Sequence, residues 1–408
     1  MDLERWRAEA EGLLTEAPVE PSRLRFRPEH LIIARGALDT PPRRAFVEKV
    51  RAAFPEASVA RQLDRPPART AVPADDDAAR RRRGKRTLVI GALRKLTSRN
   101  DDAEMRGGVV CRPYPEFSAG VGYCPFDCRF CYVAGNRGVL ASPTVKVYVN
   151  VEEILEAVAR RLAARGSQRV TCRAWRSETP STAAACGEGA ELWVASKLGD
   201  PLALEPLTHY AQLFVPFFAE QEHGRLLYLT KSAGTDDLLG LRHNGRTVLS
   251  WSLNADTVSR TMEEGAPSLD ERLAAAARAA AAGYEVRFVL MPIIPVESWE
   301  EHYEDLVARA LGAVRPSRLT LGSICIYPTA LRVMERRFGR GDPVSRLVQR
   351  GAKGRLRFAP EVREAAYRQI IAAVRRREPE LPVALCLETQ GMWERLGLDP
   401  EACLCNCG

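Results

Sequence analysis

The chain has 408 residues, 46% of them hydrophobic, a formal charge of +8 and a pI near 9.0. That length supports one large domain with additions or two domains, and the apolar content suffices for a full core. No apolar run approaches the about 18 residues of a membrane span, and Met1-Asp2-Leu3-Glu4-Arg5 has no signal-peptide pattern, so a cytoplasmic protein with no membrane partner is expected.

Residues 1–85 read as a separate N-terminal α/β region, ending in a Pro- and Asp-rich linker from Arg65-Pro66-Pro67 to Asp77. The basic run Arg80-Arg81-Arg82-Arg83-Gly84-Lys85-Arg86 follows directly. Its bases could contact phosphates. Against that, Asp75-Asp76-Asp77 compensates the charge and no aromatic interleaves to stack on nucleotides, which suits a solvated linker. Residues 87–90 and 146–149 read as strands, and Asn150 caps a helix over 151–164 with Glu153 at the capping-box position. Ser268 with Glu271 caps another helix that stops at Gly283. An apolar strand over 284–293, a helix over 299–311 opened by Ser298 with Glu301, and a strand over 319–326 complete the series.

Strands alternating with capped helices predict βα repeats around a parallel sheet. A partial α/β barrel over 86–340 is expected, followed by a region over 341–408. A doubly wound sheet is the alternative, but no G-x-G-x-x-G follows a strand. In the barrel, chemistry gathers at the C-terminal ends of strands, and the most distinctive loop lies in such a connection, before the 146–149 strand.

That loop reads Gly122-Tyr123-Cys124-Pro125-Phe126-Asp127-Cys128-Arg129-Phe130-Cys131-Tyr132. Eleven cysteines without an export signal point to metal or redox chemistry rather than disulfides. C-x3-C-x2-C leaves a cubane iron–sulfur cluster one protein ligand short. Zinc with a distant fourth ligand, or reduced core cysteines, are the other readings. Cys386, Cys403, Cys405 and Cys407 form a second group, and four thiols are the count for a second 4Fe-4S cluster. The C-x-C-x-C ending is tight, so two of its three cysteines joined with Cys386 would leave one iron open. Zinc or an unliganded tail compete with that reading. Cys111, Cys172, Cys186 and Cys325 are scattered.

The cysteine loop, with Phe130 before its last cysteine, resembles the radical S-adenosylmethionine (SAM) superfamily, whose open iron chelates the amino acid end of SAM. From about His30 to residue 340 the chain resembles the spore photoproduct lyases and their relatives. The segments are Lys85-Arg86-Thr87-Leu88-Val89-Ile90-Gly91, Leu227-Tyr228-Leu229-Thr230-Lys231, Arg242-His243-Asn244-Gly245-Arg246-Thr247, Ser250-Trp251-Ser252-Leu253-Asn254, Arg272-Leu273-Ala274-Ala275-Ala276 and Ala282-Gly283-Tyr284. The resemblance implies a (β/α)6-type partial barrel with a 4Fe-4S cluster and SAM, and a reducing partner such as flavodoxin or ferredoxin. One electron cleaves SAM to methionine and a 5′-deoxyadenosyl radical, which abstracts a substrate hydrogen. It assigns Cys124, Cys128 and Cys131 to the cluster, Tyr132 to the catalytic loop, and Phe130, Lys231, Ser252 and Asn254 to the cofactor. An ammonium suits the SAM carboxylate, and a hydroxyl at a strand end can bond its polar groups.

Two features depart from that family. In photoproduct lyases a cysteine shortly before the segment corresponding to Asp200-Pro201-Leu202-Ala203-Leu204 returns a hydrogen atom to the product radical. Here Val194-Ala195-Ser196-Lys197-Leu198-Gly199-Asp200 has none, and a serine O–H is too strong a bond to substitute. Cys172 or Cys186, in an apparent insertion over 172–188, could fold back. The second departure is the cysteine-rich C-terminal extension. The leading expectation is therefore a radical SAM enzyme acting on a nucleoside, nucleotide or similar small substrate, with an auxiliary cluster for electron transfer or as a sulfur source, and with poor repair of spore photoproduct. One alternative is repair of pyrimidine lesions in DNA, with Arg350, Lys353, Arg355 and Arg357 on phosphates. The other is a nucleic-acid-binding protein whose iron–sulfur clusters are structural.

Overall fold

The computed structural model describes residues 2–100, 109–111, 113–165, 190–196, 198–349, 354–400 and 405–407. The apparent insertion at 172–188, with Cys172 and Cys186, lies outside them, as do Arg350, Lys353 and Cys403. Among the described residues no helix is long and apolar enough to cross a membrane.

Five strands form a first sheet in the order Ser58–Gln62, His30–Ala34, Thr87–Gly91, Val145–Tyr148, Val121–Gly122. The first four run parallel and the last is antiparallel. Leu88, Val89, Ile90, Val145 and Val147 are all fully buried, the continuous apolar run of parallel strands covered on both faces. The strands beginning at 87 and 145, expected in the barrel, thus belong with the N-terminal strands, and a boundary at residue 85 would cut this sheet. Register between strands, which no local pattern carries, decides their membership.

The second sheet has eight strands, in the order Val383–Leu385, Leu319–Ser323, Glu285–Ile293, Thr247–Leu253, Gly224–Thr230, Glu191–Ala195, Tyr114–Phe117, Thr97–Asn100. All neighbours are parallel except the final pair. Strand side chains alternate between faces. Leu226, Tyr228, Leu249, Trp251 and Phe288 join the main core, where the helices Ala211–Ala219 and Leu269–Ala281 cover the sheet. Tyr114, Leu192, Val194, Leu227 and Val248 form a separate apolar cluster, and Ser250 and Ser252 share their strand parity with Val248.

The caps divide in outcome. Ser268 and Glu271 form the expected capping box. Ser298 instead takes a left-handed conformation, φ 54°, and its hydroxyl makes no cap bond to the helix Trp299–Ala313. Asn150 bonds Glu153 at 2.8 Å but exchanges its other amide bonds with the backbone of Leu93, tying the helix Val151–Arg165 to the first sheet.

Candidate active site

The cysteine loop leaves the strand Val121–Gly122 through Tyr123, a non-glycine residue at φ 52°. That conformation is costly for a bulky side chain, and Lys85 helps hold it. Its ammonium lies 4.0 Å above the Tyr123 ring and donates to the Cys124 and Phe126 carbonyls at 2.7 and 2.6 Å. Arg81, one turn earlier, donates to Asp127 Oδ1 at 2.9 Å, and Arg337 grips the same carboxylate from the helix Pro328–Phe338. The Asp127 and Arg129 amides donate to the Glu264 and Met262 carbonyls, both at 2.8 Å.

The basic run is therefore not a linker, and Arg81 and Lys85 within it face the protein while Arg82, Arg83 and Arg86 stay exposed. It is the helix Asp77–Lys85, N-capped by Asp76, and its i,i+4 pair of Arg81 and Lys85 points at the loop. Burial pulls against the charge on Lys85, but the surrounding acidic groups outweigh it and raise its pKa.

Cys124, Cys128 and Cys131 line a cavity of about 250 Å³ with Phe130, Tyr132, Lys231 and Ser252. Lys231 Nζ donates to Ser252 Oγ at 2.6 Å and sits 3.5 Å from the buried Glu263. Asp200 fixes the lysine's backbone, accepting from its N–H at 2.7 Å and from the Thr230 hydroxyl at 2.6 Å. Behind this corner lies Arg272, fully buried, which donates to the Ser252 carbonyl at 3.0 Å and pairs with Glu263. Sequence reasoning counted Arg272 as resemblance only. Its signal is a charged residue on the buried stripe of a helix, where an arginine persists only when paired.

Asn254 has a different task from the one expected. It is 1% exposed, donates to the Pro292 carbonyl and accepts from the Ala255 amide and the Tyr303 hydroxyl. Its amide shapes the strand end from behind the cavity.

The cavity also holds one of the cysteines scattered in the sequence. Cys325, just beyond the strand Leu319–Ser323, lines the same cavity. Arg355 hydrogen-bonds the side chains of Cys325 and Tyr327 and lies 4.6 Å over the Tyr327 ring, while Arg357 donates to the Leu387 carbonyl. These two arginines, placed on DNA phosphates in the alternative reading, make these bonds within the fold.

Fold and site together define an α/β enzyme whose chemistry sits at parallel strand ends, around a clamped cysteine loop. Residues 26–340 match the spore photoproduct lyase family, and the chain belongs to that family of radical SAM enzymes. A spore photoproduct lyase of Geobacillus sp. (strain Y412MC61) is 30% identical over 273 residues, 65% of this chain and 70% of that protein. One of Bacillus subtilis (strain 168) is 30% identical over 235 residues, 58% of this chain and 59% of that protein. A solved spore photoproduct lyase complexed with dinucleoside spore photoproduct has a TM-score of 0.69 at 24% identity, covering 88% of this chain and 98% of the other. Another, with bound AdoMet and dinucleoside spore photoproduct, has a TM-score of 0.68 at 23% identity, covering 90% and 99%. At these identities the structures show a shared fold.

The family implies a 4Fe-4S cluster and SAM, and the loop fits them. Burial raises the Cys124 thiol well above its usual range, and burial with Glu263 pushes Cys128 up to about 12. Such thiols stay neutral until a metal displaces their protons. Lys231 is the cationic group on the cavity wall suited to a carboxylate.

Proposed function

We propose that this chain cleaves SAM reductively and acts on a nucleotide-type substrate, a dinucleoside pyrimidine photoproduct foremost, with its eight-stranded sheet serving as the partial barrel. The observation that carries this reading is the shared cavity, lined by the three loop cysteines, by Lys231 and Ser252 at the strand ends, and by Cys325. Cys124, Cys128 and Cys131 would hold the cluster, and Lys231 with Ser252 the amino acid end of SAM. When bound, these groups supply a 5′-deoxyadenosyl radical that takes a hydrogen atom from the substrate.

The chain's own residues then govern the substrate radical. Cys325 provides the thiol missing beside Asp200. Its S–H bond breaks as a C–H bond forms on the substrate radical. The thiyl left behind takes one electron and one proton, by way of the flavodoxin- or ferredoxin-type reducing partner, to restore the thiol. Arg355 holds the sulfur in place. This removes the reason for expecting poor repair of spore photoproduct.

The test is anaerobic turnover of dinucleoside spore photoproduct in deuterated water. The unaltered protein should release thymine carrying solvent deuterium, and Cys325→Ala should still yield 5′-deoxyadenosine but little labelled thymine. Equal label in both proteins would rule out Cys325 as the donor. A second reading, sulfur insertion or electron transfer from an auxiliary cluster, is favoured by Cys386. Its charge is felt by Tyr132 on the cavity wall, and it is itself coupled to Cys325. A sulfur-bearing nucleoside product would select that reading.

A further inference from the structure

Four thiols outside the loop converge at one place on the second sheet. Cys386 follows the strand Val383–Leu385, and its amide donates to the Leu321 carbonyl at 2.7 Å. Just beyond, Glu388–Thr389 pairs antiparallel with Val109–Val110, Glu388 opposite Val110. Cys111 directly follows Val110 and Cys386 lies two residues before Glu388, so this pairing brings the two cysteines' segments together.

Cys405 and Cys407 arrive from far along the chain, and buried groups seat them. Arg287 donates to the Asn406 carbonyl at 2.7 Å, Arg318 to the Cys405 carbonyl at 3.3 Å, and Ser250 to Asn406 Oδ1 at 2.7 Å. Asn406, Arg287 and Ser250 are 4%, 1% and 0% exposed. Cys407 packs on the apolar cluster of Tyr114, Val194 and Leu227.

The electrostatics tie the four together. Cys386 lies within Coulombic reach of Cys407, Cys405 and Cys111. Tyr114, on which Cys407 packs, is a near neighbour of Cys111 as well. Arg287 and Arg318 bring two buried guanidiniums to the tail's backbone, with Glu285 paired to Arg287, so the seat holds positive charge beside the thiols that a thiolate-bound cluster can face. A cubane core bound by four thiolates is an anion. Among the described residues no three of these sulfurs lie within 4.8 Å of one another. Zinc bonds of about 2.3 Å would draw them to roughly 3.8 Å, whereas a cubane spreads its thiolates over four irons.

We infer that Cys111, Cys386, Cys405 and Cys407 bind a second iron–sulfur cluster, with Cys111 as the ligand that the tail motif does not reveal. This deepens the reading of the chain as an iron–sulfur enzyme.

The experiment counts iron in anaerobically reconstituted full-length protein carrying Cys124→Ser, Cys128→Ser and Cys131→Ser. About four irons per chain should remain. Adding Cys111→Ser should remove at least one of them, a larger loss than adding Cys403→Ser. Without further substitution, iodoacetamide should spare Cys111, Cys386, Cys405 and Cys407 in the loaded protein and label them once a chelator has stripped the iron. Iron-free triple variant, zinc in place of iron, labelling of Cys111 that iron does not change, or a larger loss from Cys403→Ser would each overturn the inference. Formation of 5′-deoxyadenosine by the unaltered protein is scored separately. Its absence, with the second iron complement intact, would sink the enzyme reading and leave this site standing.

Discussion

The loop cysteines fall within eight consecutive residues, whereas the second group of thiols comes from positions 111, 386, 405 and 407. The loop carries its ligand spacing locally but depends on distant charges to aim it: Arg81, Lys85 and Arg337 reach it from two other helices. The second group differs. It is aimed by backbone pairing between Glu388–Thr389 and Val109–Val110 and by contacts from Ser250, Arg287 and Arg318, and its ligand set exists only after chain segments nearly three hundred residues apart have met. A motif scan therefore finds the first set whole and the second with a member missing.

The comparison can be broken most severely at the loop. Replacing Cys124, Cys128 and Cys131 together by serine should reduce 5′-deoxyadenosine formation to the level without protein, measured by chromatography after reduction with SAM. Undiminished SAM cleavage would transfer the chemistry to the C-terminal group.

Asp127→Asn probes the clamp while leaving the ligands alone. It strands Arg81 and Arg337 around a neutral amide, a loss of about 3 kcal/mol for breaking a partly buried ion pair. Thermal unfolding should occur at lower temperature, and the variant should lose loop iron to a chelator faster while keeping the tail iron. Equal release from both sites would show that the clamp does not distinguish them.

A smaller effect is expected from Lys231→Ala, which removes a charged hydrogen-bond partner for the SAM carboxylate. SAM affinity should fall roughly 10- to 100-fold with iron content unchanged, as read by equilibrium dialysis. Asn254→Ala, by contrast, should alter thermal stability and spare SAM affinity.

The smallest effect concerns the seat of the tail. Burial pushes the Glu285 carboxyl up, but Arg287 and Arg225 outweigh it and bring it down to about 2. A depressed carboxylate stabilises the fold above its unfolded value near about 4.3 and loses that contribution as pH falls through 2. Glu285→Gln should therefore flatten the acid limb of stability between about pH 4 and 2, tracked by circular dichroism.

Several elements were legible because their signals are local. The capping box at Ser268 and Glu271, the apolar strand ending at Ile293 and the cysteine spacing each declare themselves within a few residues. What escaped lies between segments. The strand beginning at Thr87 reads the same in either sheet until its partner at His30 is known. The run Arg80 to Arg86 looks like a solvated charge block until its helical period turns Arg81 and Lys85 toward Asp127 and Cys124. Asn254 sits in a segment resembling a cofactor site, but its bonds to Pro292 and Tyr303 depend on neighbouring strands. Cys325 lacked any companion in sequence and gained one only within the cavity.

The seat around Asn406 also imposes an order of events on synthesis. Ser250 and Arg287 precede their partner by 156 and 119 residues. At about 5–20 residues per second of translation, they wait roughly 6 to 30 seconds for it. During that interval the surface of Leu227 and Val248 that Cys407 will cover stands open to solvent or to a chaperone.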